Sequence, residues 1–402
     1  MDKDVVVTNL DVRPYVETLF ARALAEEASD IHVEPTADGA EVRLRVDGLL
    51  QTIDRMTGEM GRSTVLRLMV LAQLLTYRLD IPQEGRVTWE VGHRSRDREG
   101  ATGADSESHG RSLTVAALNF PEEMGGKRID CRLAIMPTAH GLRAVVRMPA
   151  DLVQPKSLGS LALPAAVMGA LERFAKHDQG MLLVTGPAGS GKTTTIYALL
   201  EHIAAGTGGE ASGLSIISLE DPVERLLPGV TQIEVTPHGQ LTYERALKSI
   251  LRQDPQVLML GEIRDVATAS IAVQAALSGH RLIATLHAGE PAMALARLLE
   301  MGIEPYQLTS SLFGILSQRL LRKRSSASAS RYRGRVPVAE FAQLDTDVRA
   351  AVLQRADADS LKNRFAQQSG YVTMRTVAED LVARGVTDEE EVQRVLGLVQ
   401  RS

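Results

Sequence analysis

The sequence contains little that would support disulfide, zinc or base-stacking chemistry. Its 402 residues include one cysteine, Cys131, and only 3% are aromatic. A single cysteine excludes an internal disulfide and any zinc site built from several cysteines, and we expect Cys131 to be an inert buried thiol. Few aromatic residues and a net charge of −5 argue against direct binding of nucleic acid.

Long apolar runs are also missing. The best candidate for a membrane span, near residues 65–75, is interrupted by Arg67 and falls well short of the roughly 20 residues that a span needs. Residues 1–4 are charged and no long apolar segment follows them, so no secretory signal is predicted. We therefore expect a cytoplasmic protein without a transmembrane segment, with any membrane contact made through a partner.

The length and the 44% hydrophobic content predict two or three domains. Residues 1–148 mix short strands with helices and are expected to form a smaller α+β domain. Within it, residues 14–28 have the apolar spacing of a helix, and residues 92–112 predict a flexible surface loop because large apolar side chains are almost absent. The proline-containing residues 149–159 predict a linker.

From residue 160 the pattern changes to helical segments alternating with short apolar runs. This alternation predicts an α/β core with a parallel sheet over residues 160–339, followed by a charged helical extension at 340–402. The candidate buried strands are residues 214–219, 257–260 and 281–286, and a polar group follows each of them. Because ligands bind at the carboxyl ends of parallel strands, we expect these groups to lie near one another.

Residues 186–193 read Gly-Pro-Ala-Gly-Ser-Gly-Lys-Thr, the pattern of a phosphate-binding loop. Glycines let the backbone curl so that successive N–H groups point at phosphate oxygens. Lys192 would bring a positive charge to the β and γ phosphates, and the Thr193 hydroxyl would bind Mg²⁺. The residues expected to bind the nucleotide are Gly186, Pro187, Ala188, Gly189, Ser190, Gly191, Lys192, Thr193 and Thr194.

Acidic residues follow two of the predicted strands. Glu262 comes just after residues 257–260, where a carboxylate can orient or activate the water that attacks the γ phosphate. Glu220 and Asp221 form a second acidic pair that could hold Mg²⁺ through water or position the nucleophile. A structural role stays open for each: Glu262 could be a surface-turn residue, and the acidic pair could make a turn before Pro222.

His287 and several arginines complete the set of candidates. His287 follows the strand at 281–286 and could sense the γ phosphate, although a lone histidine is more often a packing residue, as is expected for His280. Phosphoryl transfer also uses cations near the developing charge. Candidates in strands of the first domain, each of which could instead be a solvated strand residue, are Arg43, Arg45, Arg86, Arg132, Arg143 and Arg147.

Together these segments resemble the secretion ATPases of type II secretion and type IV pilus assembly. The matching stretches are Glu-Asp-Pro-Val-Glu at 220–224, Leu-Arg-Gln-Asp-Pro at 251–255, Gly-Glu-Ile-Arg-Asp at 261–265 and the histidine segment at 279–287. The resemblance implies a PAS-like domain joined to a RecA-like P-loop core, with ATP and Mg²⁺ bound between them. It implies a homohexamer that drives pilus or pseudopilus assembly through an inner-membrane platform protein.

The same resemblance implies roles for single residues. Glu262, Lys192, Glu220 and His287 would act in catalysis, Thr193 and Asp221 would hold the magnesium ion, and Arg86 with Arg132 look most like the arginines that the small domain contributes.

The sequence also departs from this family's pattern. Many assembly ATPases have a four-cysteine zinc module after a Gln-Arg-Leu segment, here residues 318–320, but Lys-Arg-Ser-Ser follows at 323–326, so no zinc is expected. The extra N-terminal docking domain is also expected to be missing, which leaves recruitment unexplained. Gln256, Ala267 and Ala288 replace residues that are usually acidic or hydroxylic.

Three other functions stay open. The first is a pilus retraction motor, although residues 251–255 and 304–306 favour the assembly branch. The second is a RecA-like ring for DNA transport or unwinding, which the acidic, aromatic-poor composition disfavours. The third is a scaffold that binds nucleotide without hydrolysing it, which the intact Lys192, Thr193 and Glu262 disfavour.

Overall fold

The computed structural model describes residues 6–7, 11–90, 128–149, 157–206, 211–236, 239–325 and 331–397. The loop predicted at 92–112 lies outside these ranges, as does most of the linker predicted at 149–159. The chain divides into two compact units, Met1–Val153 and Gln154–Ser402. Each unit contains a mixed α/β arrangement with a hydrophobic core of its own.

The N-terminal unit contains a single sheet in its described residues. Its strands are β1 Val6–Val7, β2 Asp30–Thr36, β3 Gly39–Val46, β4 Leu49–Met56, β5 Gln83–Glu90, β6 Arg128–Thr138 and β7 Gly141–Arg147. The spatial order is β1-β4-β3-β2-β7-β6-β5. Neighbouring strands are antiparallel, except that β1 runs parallel to β4.

One face of this sheet is buried under two helices, α1 Val12–Ala25 and α2 Gly58–Leu71. Residues along β6 alternate between exposed and buried, as expected for a sheet with one covered face. Helix α1 begins before the predicted residue 14 because the Asp11 side chain accepts a hydrogen bond from the backbone N–H of Arg13. It ends before the predicted residue 28, and Glu27 has a left-handed φ of 54°.

The C-terminal unit is built around a second sheet. Its strands are β8 Gly180–Thr185, β9 Ile216–Glu220, β10 Thr231–Glu234, β11 Val257–Leu260, β12 Arg281–Leu286, β13 Leu312–Arg324 and β14 Tyr332–Ala342. Its helices are α3 Ala165–Lys176, α4 Lys192–Ala205, α5 Tyr243–Ile250, α6 Val266–Leu277, α7 Pro291–Glu300, α8 Pro305–Ser311, α9 Thr346–Leu353, α10 Ala358–Ala366, α11 Met374–Ala383 and α12 Glu389–Leu396.

The strand order of this sheet is β10-β9-β11-β12-β8-β13-β14. All pairs are parallel except β13–β14, which is an antiparallel hairpin. Every residue of β8, β11 and β12 is buried. Helices on both faces cover these strands, which explains why they are mainly apolar instead of alternating; the polar exceptions are Thr185, Arg281 and Thr285.

The last strand, β14, extends three residues beyond the predicted end of the core at 339. Phe341 and Ala342 pair with Leu316 and Ile315 of β13, so the strand continues while partners are present. The helices α9 to α12 follow.

Within the described ranges, no helix combines the length and the apolar character that crossing a bilayer requires.

Candidate functional site

The loop between β8 and α4 has the curled backbone that the sequence predicts. The φ angles of Gly186, Gly189 and Gly191 are +149°, +74° and +87°, a region that other residues rarely adopt. A Cβ atom at Gly186 would lie 2.6 Å from the carbonyl oxygen of Gln318, and one at Gly191 would lie 2.8 Å from the Nε2 atom of Gln318. Glycine is therefore needed at both positions for conformation and for space.

Helix α4 begins without a side-chain cap. Gly191 occupies the N-cap position and contributes no side-chain hydrogen bond, whereas Thr242 caps α5 and Asp265 caps α6. No side chain at the N-cap position competes with an anion for the first turn of α4, and the helix dipole favours negative charge there. These features fit a bound phosphate chain.

The Lys192 ammonium group is held inside this loop. Its Nζ atom donates hydrogen bonds to the carbonyl oxygens of Gly186, at 2.8 Å, and Pro187, at 2.9 Å. Burial lowers the pKa of Lys192; the Glu262 carboxylate acts in the opposite direction and Arg319 adds to the decrease. Among the other loop residues, Pro187, Ala188 and Gly189 are exposed, Ser190 is buried, and Thr193 and Thr194 are half-buried in the first turn of α4.

Glu262 is held between two basic side chains. Its Oε1 atom lies 2.9 Å from Nε2 of His287, and its Oε2 atom accepts a hydrogen bond of 2.6 Å from Nε of Arg264. Arg264 also lies 3.4 Å from Oδ2 of Asp221. The structure thus brings together three of the strand-end groups that the sequence singled out.

Glu220 is more enclosed than its neighbours. It is 3% exposed, and its Oε1 atom accepts hydrogen bonds from Ser218, at 2.5 Å, and Gln232, at 3.0 Å. Its Oε2 atom accepts a bond from the Tyr197 hydroxyl, whose pKa is raised by burial and by this contact. Oε1 thus accepts two hydrogen bonds and Oε2 accepts one, which leaves Glu220 little capacity to act as a base or as a metal ligand.

The predicted catalytic and metal-binding side chains of this unit share one cavity. Its volume is about 160 Å³, and its lining includes Lys192, Thr193, Glu220, Asp221, Glu262 and His287. In the described residues, no group of three or more histidine, cysteine or acidic side chains has the arrangement of a metal site. Mg²⁺ is commonly held by one or two protein ligands together with phosphates and water, so Thr193 and Asp221 fit such an ion.

Two residues of this cavity were missed from the sequence, Arg264 and Tyr243. The Tyr243 hydroxyl lies 2.6 Å from the position that a Cβ atom on Gly261 would take, so it closes the cavity beside Glu262. Burial raises the pKa of Tyr243, and the Asp221 charge adds to this increase. Arg264 lies two residues after Glu262, separated from it by the buried Ile263; its position within the matching stretch at 261–265 is the sequence signal that could have identified it.

The six candidate arginines lie in the N-terminal unit, where four of them bind carboxylates. Arg43 and Arg143 contact Glu34, while Arg45 and Arg147 contact Asp30, at 3.3 and 3.1 Å. Arg86 and Arg132 are directly opposite each other on β5 and β6, and both are exposed.

Two other features lie apart from this site. The His280 ring is 3.0 Å from the carbonyl oxygen of Ala275, which accords with a packing role. A larger cavity of about 610 Å³ lies in the N-terminal unit. Its lining comes mainly from the ends of β2, β3, β6 and β7 and from the start of α2, includes Asp38, Arg62 and His140, and contains none of the predicted nucleotide-binding residues.

A phosphate-binding loop at the carboxyl edge of a parallel sheet, with a strand-end glutamate beside it, defines a P-loop nucleoside triphosphatase. The chain belongs to the family described as Type II/IV secretion system protein, whose sequence pattern matches residues 8–101 and 118–394. The resemblance inferred from the sequence is thereby confirmed.

Individual relatives agree with this assignment. The type II secretion system protein HxcR of Pseudomonas aeruginosa is 36% identical over 398 residues, which span 94% of this chain and 76% of HxcR. The type IV pilus assembly ATPase PilB of Thermus thermophilus is 31% identical over 94% of this chain, but the match spans only 42% of PilB. The crystal structure of the pilus retraction motor PilT with bound ADP superposes with a TM-score of 0.62 at 25% identity, covering 94% of this chain and 96% of PilT.

Proposed function

We propose that this chain is an ATP-hydrolysing motor that drives assembly of a type IV pilus or of a type II secretion pseudopilus. The observation that carries the proposal is Glu262, held 2.9 Å from His287 in the same cavity as Lys192 and Thr193 of the phosphate loop. The C-terminal unit is then a RecA-like ATPase core, and the N-terminal unit is a PAS-like domain. The working form is a cytoplasmic homohexamer recruited to an inner-membrane platform protein.

Residues 186–194 bind the phosphate chain of ATP. The N–H groups of the curled loop and of the uncapped α4 terminus face the phosphates, and Lys192 exchanges its loop carbonyl bonds for phosphate oxygens. Thr193 would hold the magnesium ion directly and Asp221 would hold it through water. When bound, the ion supplies positive charge that offsets the charge on the phosphate oxygens.

Glu262 orients the attacking water and accepts its proton at a carboxylate oxygen. In the described structure each oxygen has one partner, His287 for Oε1 and Arg264 for Oε2. A carboxylate oxygen accepts two hydrogen bonds, so the water can bind beside either partner; both partners are about half exposed to solvent. His287 then keeps the carboxylate in place and senses the γ phosphate.

Arg86 and Arg132 supply positive charge to the phosphates during transfer. Both are exposed on adjacent strands, so a phosphate can reach their side chains from solvent. If a neighbouring subunit contributes them, mixing Arg86→Ala subunits with Glu262→Gln subunits should restore activity that each variant lacks alone. An Arg128→Ala variant is the control, because Arg128 is also exposed on β6 but binds Glu90. Mixed rings without recovered activity would exclude sharing between subunits.

A retraction motor is the second candidate, and the similarity to PilT favours it. Deleting the gene separates the two, since cells should lose surface pili or secretion if the chain assembles the fibre and accumulate pili if it retracts them. A ring that acts on DNA should be stimulated by DNA, and a non-hydrolysing scaffold should release no phosphate.

A further inference from the structure

Strand β13 continues alongside the phosphate loop after its pairing with β8 has ended. Leu316 pairs with Val184 and Ser317 with Thr185, the last residue of β8. Gln318, the next residue of β13, therefore lies beside the beginning of the loop. Its main-chain oxygen is in close contact with Gly186, where a Cβ atom would come within 2.6 Å of it.

The side chain of Gln318 joins the loop to helix α4. It is 2% exposed, its Nε2 atom donates a hydrogen bond of 2.8 Å to the carbonyl oxygen of Ser190, and its Oε1 atom accepts one of 2.9 Å from the Thr195 hydroxyl. Both ends of the amide are thus paired inside the protein. A buried amide that is hydrogen-bonded at both ends fixes the groups that it connects.

Because the peptide group is planar, the hydrogen bond from Gln318 to Ser190 also orients an N–H group of the phosphate loop. The carbonyl of Ser190 and the N–H of Gly191 belong to the same trans peptide and point in opposite directions. Holding the carbonyl towards Gln318 therefore directs the N–H away from Gln318, towards the inside of the curl. Gly191, with a φ of +87°, does not itself restrict this orientation, because a residue without a Cβ adopts φ angles of either sign.

The next residue links the same strand to the histidine segment. Arg319 donates hydrogen bonds to the carbonyl oxygens of Gly289, at 3.0 Å, and Gln318, at 3.1 Å. Strand β13 thus contacts both the phosphate loop and the backbone two residues after His287.

We infer that Gln318 is a positioning residue, which holds the Ser190–Gly191 peptide in the orientation that binds polyphosphate. The inference rests on the proposed function, because it takes residues 186–194 as the nucleotide site. Gln318 does not touch the reacting atoms. Its loss should weaken ground-state and transition-state binding alike, which raises KM and leaves kcat largely unchanged.

The test is a comparison of Gln318→Met with the wild-type chain. Methionine has a similar length but offers no hydrogen bond to Ser190 or Thr195. We expect the dissociation constants of fluorescent ATP and ADP analogues, and the KM for ATP, to rise about tenfold, with kcat within about threefold. Unchanged affinity and KM in a folded variant would overturn the inference, and so would a lower kcat at constant KM, which indicates only a loss of active protein.

Two further variants keep the test decisive. Thr195→Val should raise KM by less than Gln318→Met does, and Thr195→Ser should have the wild-type KM because the hydroxyl is kept. Equal KM values for Thr195→Val and Thr195→Ser would count against the inference, even if Gln318→Met does not fold. Val338→Ala is the stability control, since Val338 is fully buried opposite Arg319 in the β13–β14 pair, and its KM should not change. A wild-type chain that binds neither analogue would contradict the proposed function instead.

Discussion

The Nε2 atom of His287 lies 2.9 Å from the Oε1 atom of Glu262. The two residues follow the adjacent parallel strands β12 and β11, at the edge of the sheet where the phosphate loop begins. The contact couples the histidine segment to the carboxylate that we assign to water activation. A change in the position of either residue should therefore affect the other.

Glu262→Gln should separate binding from hydrolysis. The amide keeps the size of the side chain but cannot accept a proton from water, so we expect ATP affinity to stay within about threefold and kcat to fall about 100-fold or more. Nucleotide binding by fluorescence and phosphate release measure the two quantities. Glu244→Gln, at an exposed glutamate of α5 that binds Lys248, is the matched control and should keep wild-type turnover.

His287→Ala should lower kcat because the Glu262 carboxylate loses the partner of its Oε1 atom. We expect a decrease of about tenfold, with His287→Gln recovering part of it, since the glutamine amide can donate a hydrogen bond to the carboxylate. Steady-state kinetics at saturating ATP measure the effect. Equal kcat values for His287→Ala and the wild-type chain would show that the contact has no part in turnover.

A second group of charges joins helix α12 to the β13–β14 hairpin. Glu391 is fully buried and accepts hydrogen bonds from the Arg322 guanidinium, at 2.7 and 2.9 Å, and from Arg394, at 2.6 and 2.7 Å. Burial alone would raise the pKa of Glu391, but the bonds from Arg394 and Arg322 outweigh it and lower the pKa to about 2.

The contact predicts a loss of stability in acid. The folded pKa of Glu391 lies below its ordinary value of 4.5, so the stabilisation is complete above that pH and decreases as the pH falls from about 4.5 towards 2. We expect Glu391→Gln to lower the free energy of unfolding at pH 7 by roughly 3 kcal/mol, because Arg322 and Arg394 lose their anionic partner. Denaturant unfolding at several pH values measures this.

The control for that experiment is Glu389→Gln, at an exposed residue on the same helix. It should keep both the stability at pH 7 and its decrease in acid. If Glu391→Gln shows the same dependence on pH as the wild-type chain, Glu391 does not contribute the expected stabilisation.

Local sequence patterns predicted the parts of the site that lie within one short segment of the chain. Strands β11 and β12 match residues 257–260 and 281–286 because strands covered on both faces are rich in apolar residues, even though β12 also contains Arg281 and Thr285. Strand β9 starts later than the predicted residue 214 and includes Glu220, because the Glu220 backbone pairs with Glu234 of β10. The sequence of residues 214–220 does not show that the charged residue Glu220 continues the strand by pairing with Glu234.

Contacts between distant segments could not be predicted in this way. Gln318 meets Ser190 across 128 positions of the chain, and Glu220 meets Tyr197 and Gln232 through the fold of three separate segments. Arg264 was missed because a separation of two residues from Glu262 does not by itself indicate that the two side chains form a hydrogen bond. The roles of Arg86 and Arg132 stay a prediction.

Phosphate release by the purified chain with ATP and Mg²⁺, compared between the wild type and Lys192→Ala, is the most direct test of hydrolysis at the phosphate loop. The wild type is expected to release phosphate continuously, and Lys192→Ala is expected to release none above background, because it loses the charge that meets the β and γ phosphates. Equal rates for the two proteins would show that hydrolysis does not occur at this loop.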